Sequence, residues 1–283
     1  MRAARFAAGL AATAAAVWLV VGRGLVNYDT LYSIVWGREL AQGRTPDLDV
    51  SLAPTPLPLG TSLGVLAAPL STVSDAGVHG GATLTATVVL AFVFLALLGW
   101  VVFALGRAWF DPWVGALAAL IVLTRRPVLD FGARAYIDIP YLVLVLGALL
   151  LETRRPRAGL PVLGLLAVAG LIRPEAWLFS GAYVLWLIWK GEREPARLAA
   201  LIGVAALGPL LWARSDWAIA GSPLHSLTGT RDTADELGRV TGLDEVPLTV
   251  PRRIGEILRE PVLVGAAGGL LLSWVWLRDR VRL

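Results

Sequence analysis

Apolar residues occur along the chain in long runs separated by polar segments, and not in the strict alternation that predicts a half-buried strand. A helix that crosses a bilayer needs roughly 20 apolar residues, and about 17 is the practical minimum. The pattern therefore predicts an all-α polytopic transmembrane helical bundle, with about eight spans in one integral membrane domain over residues 1–283. The predicted spans are residues 6–26, 82–105, 113–123, 139–151, 158–172, 176–189, 198–213 and 261–277.

Two of the shorter runs leave an alternative open. Residues 113–123 and 139–151 fall below the usual length of a span. Flanking Trp, Tyr and Arg side chains extend such helices into the headgroup region. Without that extension, both runs would stop short and line a cavity.

Two polar segments are too long for simple turns and contain aromatic residues with helix-like periodicity. The first long segment, residues 27–58, contains a predicted amphipathic helix over residues 30–42 and ends in a proline-rich return. Four residues are predicted to share the apolar side of that helix: Leu31, Ile34, Val35 and Trp36. Residues 59–70 are too short to span and are predicted to lie in the interface or to re-enter. The second long segment is residues 214–260.

The composition excludes several classes of protein. Hydrophobic residues occupy 57% of the 283 positions and charged residues 16%, with a mean hydropathy of +0.69, whereas soluble domains average about 25% charged residues. That balance excludes a soluble enzyme and a disordered chain. The absence of cysteine excludes disulfides, cysteine-bound zinc and iron–sulfur clusters. Lys190 is the only lysine and follows Trp189, so a Walker A phosphate loop is absent.

The distribution of charge predicts the orientation. With both termini in the cytoplasm, the cytoplasmic segments hold 12 of the 25 basic residues but five of the 21 acidic ones. Most basic residues on the other side lie in the two long segments, which carry little weight in the positive-inside rule. We therefore expect a multi-pass protein of the cell (plasma) membrane whose two long segments face outward.

Four stretches carry a resemblance to a known superfamily. The first reads NYDTLYSIVWGRELAQGRTPDLDVSLAPTPLPLG, and the others read RAYIDIPYLVLVLGALLLETRRPR, LAVAGLIRPEAWLFSGAYVLWL and DWAIAGSPLHSLTGTRD. The first stretch resembles the first outer loop of the GT-C superfamily, and the second resembles a later span of that superfamily that begins with an acid and a proline. The third resembles its Arg-Pro-Glu hairpin between two spans, and the fourth resembles its outer-loop sequence. Its members are polytopic glycosyltransferases that use lipid-linked sugars. The chain resembles a short, mannosyltransferase-like member.

The resemblance implies an enzyme that moves a sugar from a polyprenyl-phosphate donor to a glycan, lipid or protein acceptor on the extracytoplasmic face. Asp29 would be the general base that takes the proton of the attacking hydroxyl, and Asp138 would be a second catalytic carboxylate at the mouth of the same cavity. The implied partners are the lipid bilayer, the donor and the acceptor, and no nucleic acid. No metal or other cofactor is required.

Both acids have a structural alternative. Asp29 precedes a helical run and would also serve as an N-cap, a role that is compatible with catalysis. Asp138 stands with Pro140 at a predicted helix start, where acids and proline are common. Asp130, on the other side of Arg134, is a further candidate.

A second group of candidates would bind the substrate or its phosphate: Tyr28, Arg125, Arg126, Arg134, Arg173, Glu175 and His225. The four arginines fall at the outer ends of predicted spans, and a guanidinium is a planar fork that suits phosphate oxygens. Snorkelling at the interface explains any one of them equally well, and a lone histidine in an outer loop is commonly just solvated. Arg173-Pro174-Glu175 also fits a local ion pair at a hairpin tip. The Asp47-Leu48-Asp49 spacing matches a metal-chelating motif, but no nucleotide-binding unit accompanies it, so no metal site is predicted.

Two other functions remain open. A small transporter or flippase would place charges in mid-span or break helices in pairs, whereas the predicted spans hold almost no charge and the polar residues gather on one side. A non-catalytic GT-C-like subunit would account for the short chain. The presence of Asp29 favours the enzyme.

Overall fold

The computed structural model describes residues 2–48, 52–70, 81–238 and 246–276, and every regular element in those ranges is helical. The all-α prediction is therefore confirmed. A 3₁₀ turn, Ala68–Leu70, follows the third helix. The thirteen α-helices of the described ranges are α1 (Arg2–Val21), α2 (Tyr28–Ala41), α3 (Pro58–Ala67), α4 (Ala82–Trp109), α5 (Pro112–Leu123), α6 (Arg126–Ala133), α7 (Asp138–Arg154), α8 (Leu160–Gly170), α9 (Glu175–Trp189), α10 (Pro195–Ala220), α11 (His225–Glu236), α12 (Val246–Leu258) and α13 (Glu260–Trp276).

Fewer helices are long enough to cross a bilayer than the sequence predicts. Three of the described helices combine sufficient length with few charges, namely α1, α4 and α10. The helices α6 and α7 add a fourth span only if they form one broken span, because they are bent by 112° relative to each other. The predicted count of about eight spans is not confirmed. For example, α5 has 12 residues and α8 has 11, which is less than about 20 Å of helix against about 30 Å of hydrocarbon.

The helix α4 lies at the centre of the first half of the bundle and packs against α1, α5 and α7. Its residues Leu95 and Leu98 are fully buried, in an apolar cluster that also includes residues of α1 and α7. Gly132 lets α6 lie directly on α4, because a Cβ at that position would come within 2.3 Å of the Leu95 side chain. This contact fixes α6 against the end of the core.

The second half of the bundle is formed by α8, α9 and α10, and α8 joins it to α7. Leu163, Leu187 and Leu201 form its buried centre. The Trp177 indole Nε1 donates a 3.0 Å hydrogen bond to the carbonyl oxygen of Gly170, so this large polar ring is satisfied within the bundle.

Large apolar side chains cover the outside of the bundle. Trp113 is 85% exposed, Val20 80% and Trp189 77%. Water would drive surfaces of this kind to associate, whereas lipid tails solvate them. The exterior and the long apolar helices are compatible with a lipid bilayer and indicate a membrane protein.

The helices α2 and α3 form a hairpin in which the two backbones touch. A Cβ on Gly37 would lie 2.5 Å from the backbone of Gly64, and a Cβ on Gly64 would lie 2.4 Å from the carbonyl oxygen of Ser33. The buried face of α2 consists of Ser33, Trp36 and Gly37. The predicted apolar side is therefore correct for Trp36 and wrong for Val35, which is 43% exposed. The face of α2 that packs against α3 is the one with small residues, because the two backbones approach closely there.

The bundle has two ends. At the end that we call the α2 end, α1 and α5 finish and α7 and α9 begin. At the opposite end, α4 and α7 finish, and the Trp109 indole donates a 3.1 Å hydrogen bond to the Thr153 hydroxyl.

Acidic side chains close the turns at the opposite end. Asp111 accepts hydrogen bonds of 2.7 and 2.9 Å from two backbone N–H groups at the start of α5. Glu194 does the same at the start of α10, at 3.0 and 2.6 Å. Glu152 accepts from two backbone N–H groups of the turn after α7, at 2.5 and 3.2 Å, and from the Tyr183 hydroxyl at 2.5 Å. These carboxylates satisfy backbone donors that helix ends leave unpaired.

Candidate functional site

The start of α2 is docked on the turn between α6 and α7. Two backbone hydrogen bonds, both of 2.9 Å, join the residues just before α2 to the carbonyl oxygens of residues 133–134. The Thr30 hydroxyl donates a further bond of 2.8 Å to the carbonyl oxygen of Ala135. Because Asp29 directly precedes Thr30, these bonds hold its backbone at the turn that leads into Asp138.

Asn27 caps α2, since its Oδ1 accepts a 2.9 Å hydrogen bond from the N–H of Thr30. The N-cap role considered for Asp29 is thus filled by Asn27. Asp29 lies half-buried in the first turn of α2, where the partial positive charge of the helix N-terminus stabilises a carboxylate.

Tyr28 is half exposed beside Asp29, and its hydroxyl donates a 3.4 Å hydrogen bond to the carbonyl oxygen of Leu52. Its ring centroid lies 4.7 Å from that of Tyr32. The Tyr32 side chain raises the pKa of Tyr28, and the charge of Asp29 adds to the rise. The Tyr28 hydroxyl therefore remains a hydrogen-bond donor at neutral pH.

Asp138 forms a cluster with the hairpin between α8 and α9. Arg173 makes an ion pair with Asp138 through Nη1 and another, of 3.1 Å, with Glu175 through Nη2. The predicted local ion pair within Arg173-Pro174-Glu175 is present, and Asp138 extends it. Burial lowers the pKa of Arg173, but the two carboxylates outweigh burial and bring it above its ordinary value. The Asp138 carboxylate is therefore engaged by a permanently charged guanidinium.

A cleft of about 500 Å³ opens between α6 and the turn that joins α12 to α13. It contains the predicted phosphate ligands Arg125, Arg126 and Arg134, and sequence reasoning missed a fourth arginine, Arg259. We call this feature the arginine cleft; its charged lining residues are Arg125, Arg126, Asp130, Arg134, Glu256 and Arg259.

Both acids of the arginine cleft have an arginine partner. Asp130 accepts a 3.0 Å bond from Nε of Arg134. Glu256 pairs with Arg253 at 2.7 Å and with Arg252 at 3.2 Å. The bond from Arg253 lowers the pKa of Glu256, so this carboxylate is ionised at neutral pH. The acids therefore leave much of the positive charge of the cleft uncompensated.

The arginine cleft and Asp29 meet at the α6–α7 turn. The Arg134 side chain lines the cleft, while its carbonyl oxygen accepts one of the bonds that hold the start of α2. Arg173 and Glu175 are not in the cleft lining, so the four predicted arginines divide into a group of three and a separate ion pair.

The second long segment is docked on the first. Asp216, near the end of α10, accepts bonds from the N–H and the hydroxyl of Ser226 at 2.8 and 2.7 Å, and both residues are buried. The hydroxyls of Thr55 and Thr230 are hydrogen-bonded to each other at 2.8 Å. His225, a predicted substrate contact, begins α11 at this junction and does not line the arginine cleft.

Within the described ranges, no group of three or more His, Asp or Glu side chains is arranged to hold a metal ion. Asp47 lies in those ranges, but Asp49, its partner in the D-x-D spacing, lies outside them.

Comparisons with models of protein families, with curated proteins and with solved structures find no match for this chain. Its fold and surface define its class: an all-helical protein whose apolar helices are compatible with a lipid bilayer.

Proposed function

We propose that the chain is a membrane glycosyltransferase of the GT-C type, which moves a sugar from a polyprenyl-phosphate donor to an acceptor on the extracytoplasmic face. The observation that carries the proposal is the α6–α7 turn, which binds the residues on both sides of Asp29, Asn27 and Thr30, and whose Arg134 side chain lines the arginine cleft. A general base and a phosphate site on two sides of one turn suit an acceptor and a lipid phosphate bound next to each other. The α2 end is then the extracytoplasmic end.

Asp29 acts as the general base in this proposal. The acceptor hydroxyl oxygen attacks the anomeric carbon while its proton passes to the Asp29 carboxylate. The bond between the anomeric carbon and the phosphate oxygen breaks, and its electron pair leaves with the lipid phosphate. Attack from the face opposite the leaving group inverts the anomeric carbon.

The arginine cleft stabilises the leaving group. The donor is a phosphodiester with one negative charge, and the departing lipid phosphate gains a second. Guanidinium groups preorganised at the phosphate lower the barrier because they interact more strongly with the charge that develops. The positive charge that Asp130 and Glu256 leave uncompensated supports this role.

Asp138 has a positioning role in this proposal, because its carboxylate is engaged by Arg173. Its ion pair with Arg173 links the start of α7 to the α8–α9 hairpin. The backbone N–H of Leu59, at the start of α3, donates a 3.2 Å bond to the carbonyl oxygen of Leu171 in the same hairpin. The pair thereby supports the surface on which the α2–α3 hairpin rests.

The test is transfer by the purified protein in lipid vesicles, with radiolabelled polyprenyl-phosphate hexoses and pentoses as donors and alkyl glycosides as acceptors. We expect the label to move from the donor to an acceptor, with an equal amount of polyprenyl phosphate released. Label that crosses the bilayer on intact donor would identify a transporter instead. If the donor is neither consumed nor moved across the bilayer, the enzyme proposal is wrong, and the interpretation as a non-catalytic subunit replaces it.

A further inference from the structure

Among the described residues, three guanidinium groups of the arginine cleft have no carboxylate partner. The two acids of the cleft already pair with other arginines. Within the part of the chain that the structure describes, three cleft residues take part in no ion pair: Arg125, Arg126 and Arg259. Such an excess of positive charge in one concave site attracts anions.

The three groups approach the cleft from two directions. Arg125 precedes α6, and its Nε donates a 3.2 Å bond to the carbonyl oxygen of Ile121, which restrains the side chain. Arg126 is the first residue of α6. Arg259 comes from the turn between α12 and α13, on the other side of the cleft. Guanidinium forks on both sides suit a phosphate, whose oxygens accept hydrogen bonds from several directions.

The backbone of Arg259 is strained. Its φ of +69° lies in the left-handed region, which is disfavoured for a residue with a Cβ. Strained residues of this kind cluster at ligand sites, where the surrounding structure holds them. Here the strain accompanies a charged side chain in the lining of the cleft.

We propose that Arg125, Arg126 and Arg259 bind a phosphate group with two negative charges, a phosphomonoester, in preference to a phosphodiester with one. A phosphomonoester carries about −1.5 to −2 charges at pH 7. Three cations without a carboxylate partner interact more favourably with this larger negative charge than with a single one. The identity of the natural ligand rests on the proposed function, in which the donor is a diester and the lipid phosphate left after transfer is a monoester. Inorganic phosphate presents the same chemistry without the lipid.

This preference has a consequence for the reaction. A site that binds the dianion more tightly than the monoanion stabilises the charge that appears as the sugar leaves. It also retains the product. The lipid phosphate is therefore expected to inhibit transfer competitively with the donor.

Binding can be measured without transfer, by calorimetry on the full chain in detergent. The probes are a ten-carbon prenyl monophosphate, its methyl diester and inorganic phosphate. We expect the monophosphate to bind at least about tenfold more tightly than the diester. Equal affinity for the two prenyl probes would overturn the inference. Tighter binding of the prenyl monophosphate than of inorganic phosphate identifies a lipid ligand, and the reverse order identifies free phosphate; both support a dianion site.

The variants distinguish the cleft from exposed arginines elsewhere on the protein. Arg259→Gly removes one cation and relieves the left-handed backbone, so the protein should unfold no more easily while its preference for the monoester falls to about twofold. Arg259→Lys keeps the charge and should keep most of the preference. Arg193→Gln changes an exposed arginine at the opposite end of the bundle and should leave the preference unchanged. An unaltered preference in Arg259→Gly would overturn the inference.

The two proposals fail in different ways. If the monoester preference is found and no donor supports transfer, the anion site stands and the glycosyltransferase proposal is wrong. If transfer occurs and the preference is absent, the enzyme stands and this account of Arg259 is wrong.

Discussion

The two ends of the bundle use acidic side chains differently. At the opposite end, three acids bind backbone N–H groups of neighbouring turns: Asp111, Glu152 and Glu194. At the α2 end, four acids bind arginine side chains: Asp130, Asp138, Glu175 and Glu256. Each end also has an exception: Glu192 pairs with Arg197 at the opposite end, and Asp216 accepts from a backbone N–H at the α2 end. The prevailing partner of the acids is thus a backbone donor at the opposite end and an arginine at the α2 end, where the pair of Asp138 and Arg173 joins two separate elements.

Under the proposed function, the difference favours one end of the bundle for the reaction. A carboxylate that caps a helix is engaged by backbone donors that need it in every state of the protein. Arginine and carboxylate side chains exchange partners more readily, because each has further hydrogen-bonding positions to offer an incoming ligand. We therefore infer that the substrates bind at the α2 end and that the opposite end is structural.

Among changes away from the proposed base, the largest predicted effect comes from separating α2 from α3. Gly37→Ala places a methyl group 2.5 Å from the Gly64 backbone, which must push the hairpin apart and move Asp29. Misplacement by about 1 Å costs roughly a hundredfold in rate, and we expect a loss of that size in the transfer assay. Gly147→Ala, whose added Cβ meets nothing within 4 Å, is the control and should retain full activity. Full activity in Gly37→Ala would break the link between the hairpin and the site.

The buried pair of Asp216 and Ser226 tests stability at the α2 end. Asp216→Ala leaves the Ser226 N–H buried without an acceptor and leaves its hydroxyl only the 3.5 Å bond to the carbonyl oxygen of Pro56. We expect the free energy of unfolding to fall by about 2 to 3 kcal/mol. Asp216→Asn keeps one acceptor oxygen and should lose about 1 kcal/mol. Thermal unfolding in detergent measures both. Equal stability of wild type and Asp216→Ala would show that the two long segments do not depend on this pair.

Two ion pairs of similar length compare the ends directly. Arg173 pairs with Glu175 at the α2 end and Arg197 with Glu192 at the opposite end, each at 3.1 Å. Arg173→Gln should lower the rate of transfer about tenfold, because Asp138 loses its partner and the hairpin support loosens. Arg197→Gln should leave the rate unchanged. Each of the two variants should change the free energy of unfolding by no more than about 1 kcal/mol, since both ion pairs are partly exposed. Equal rates in the two variants would remove the functional distinction between the ends.

The smallest effect is predicted for Glu152→Gln. The amide retains one oxygen for the backbone N–H groups and the Tyr183 hydroxyl, so stability should fall by about 1 kcal/mol or less. Transfer should stay within about twofold of wild type. A large loss of transfer with intact folding would place function at the opposite end as well.

The helices followed from local sequence more readily than the site did. The predicted runs 82–105 and 113–123 correspond to α4 and α5, because apolar runs and proline boundaries are local signals. The break between α6 and α7 was not predicted, since it depends on Gly132 packing against Leu95. The count of about eight spans is not confirmed, because apolar composition alone does not distinguish a helix that is long enough to span from a shorter one.

The arginine cleft could likewise be predicted only in part, because some of its residues are distant from one another along the chain. Arg125, Arg126 and Arg134 lie close together in sequence and were predicted, together with Arg173, to bind phosphate. Arg173 is not in the lining of the cleft. Arg259 is distant along the chain, and only the packing of α12 against α6 brings it to the cleft. The bond between Asp216 and Ser226 likewise depends on how α11 folds back after α10. A single sequence contains no local pattern that links such residues.

The most direct test of the account compares two aspartates that stand at helix starts on opposite ends. Asp29→Asn removes the proposed base, and Asp111→Asn retains the oxygen Oδ1 that caps α5. In the transfer assay, we predict that Asp29→Asn is slower than wild type by about a hundredfold or more, while Asp111→Asn stays within about twofold. Transfer by Asp29→Asn at the wild-type rate would contradict both the assignment of the base and the assignment of the α2 end as the catalytic end.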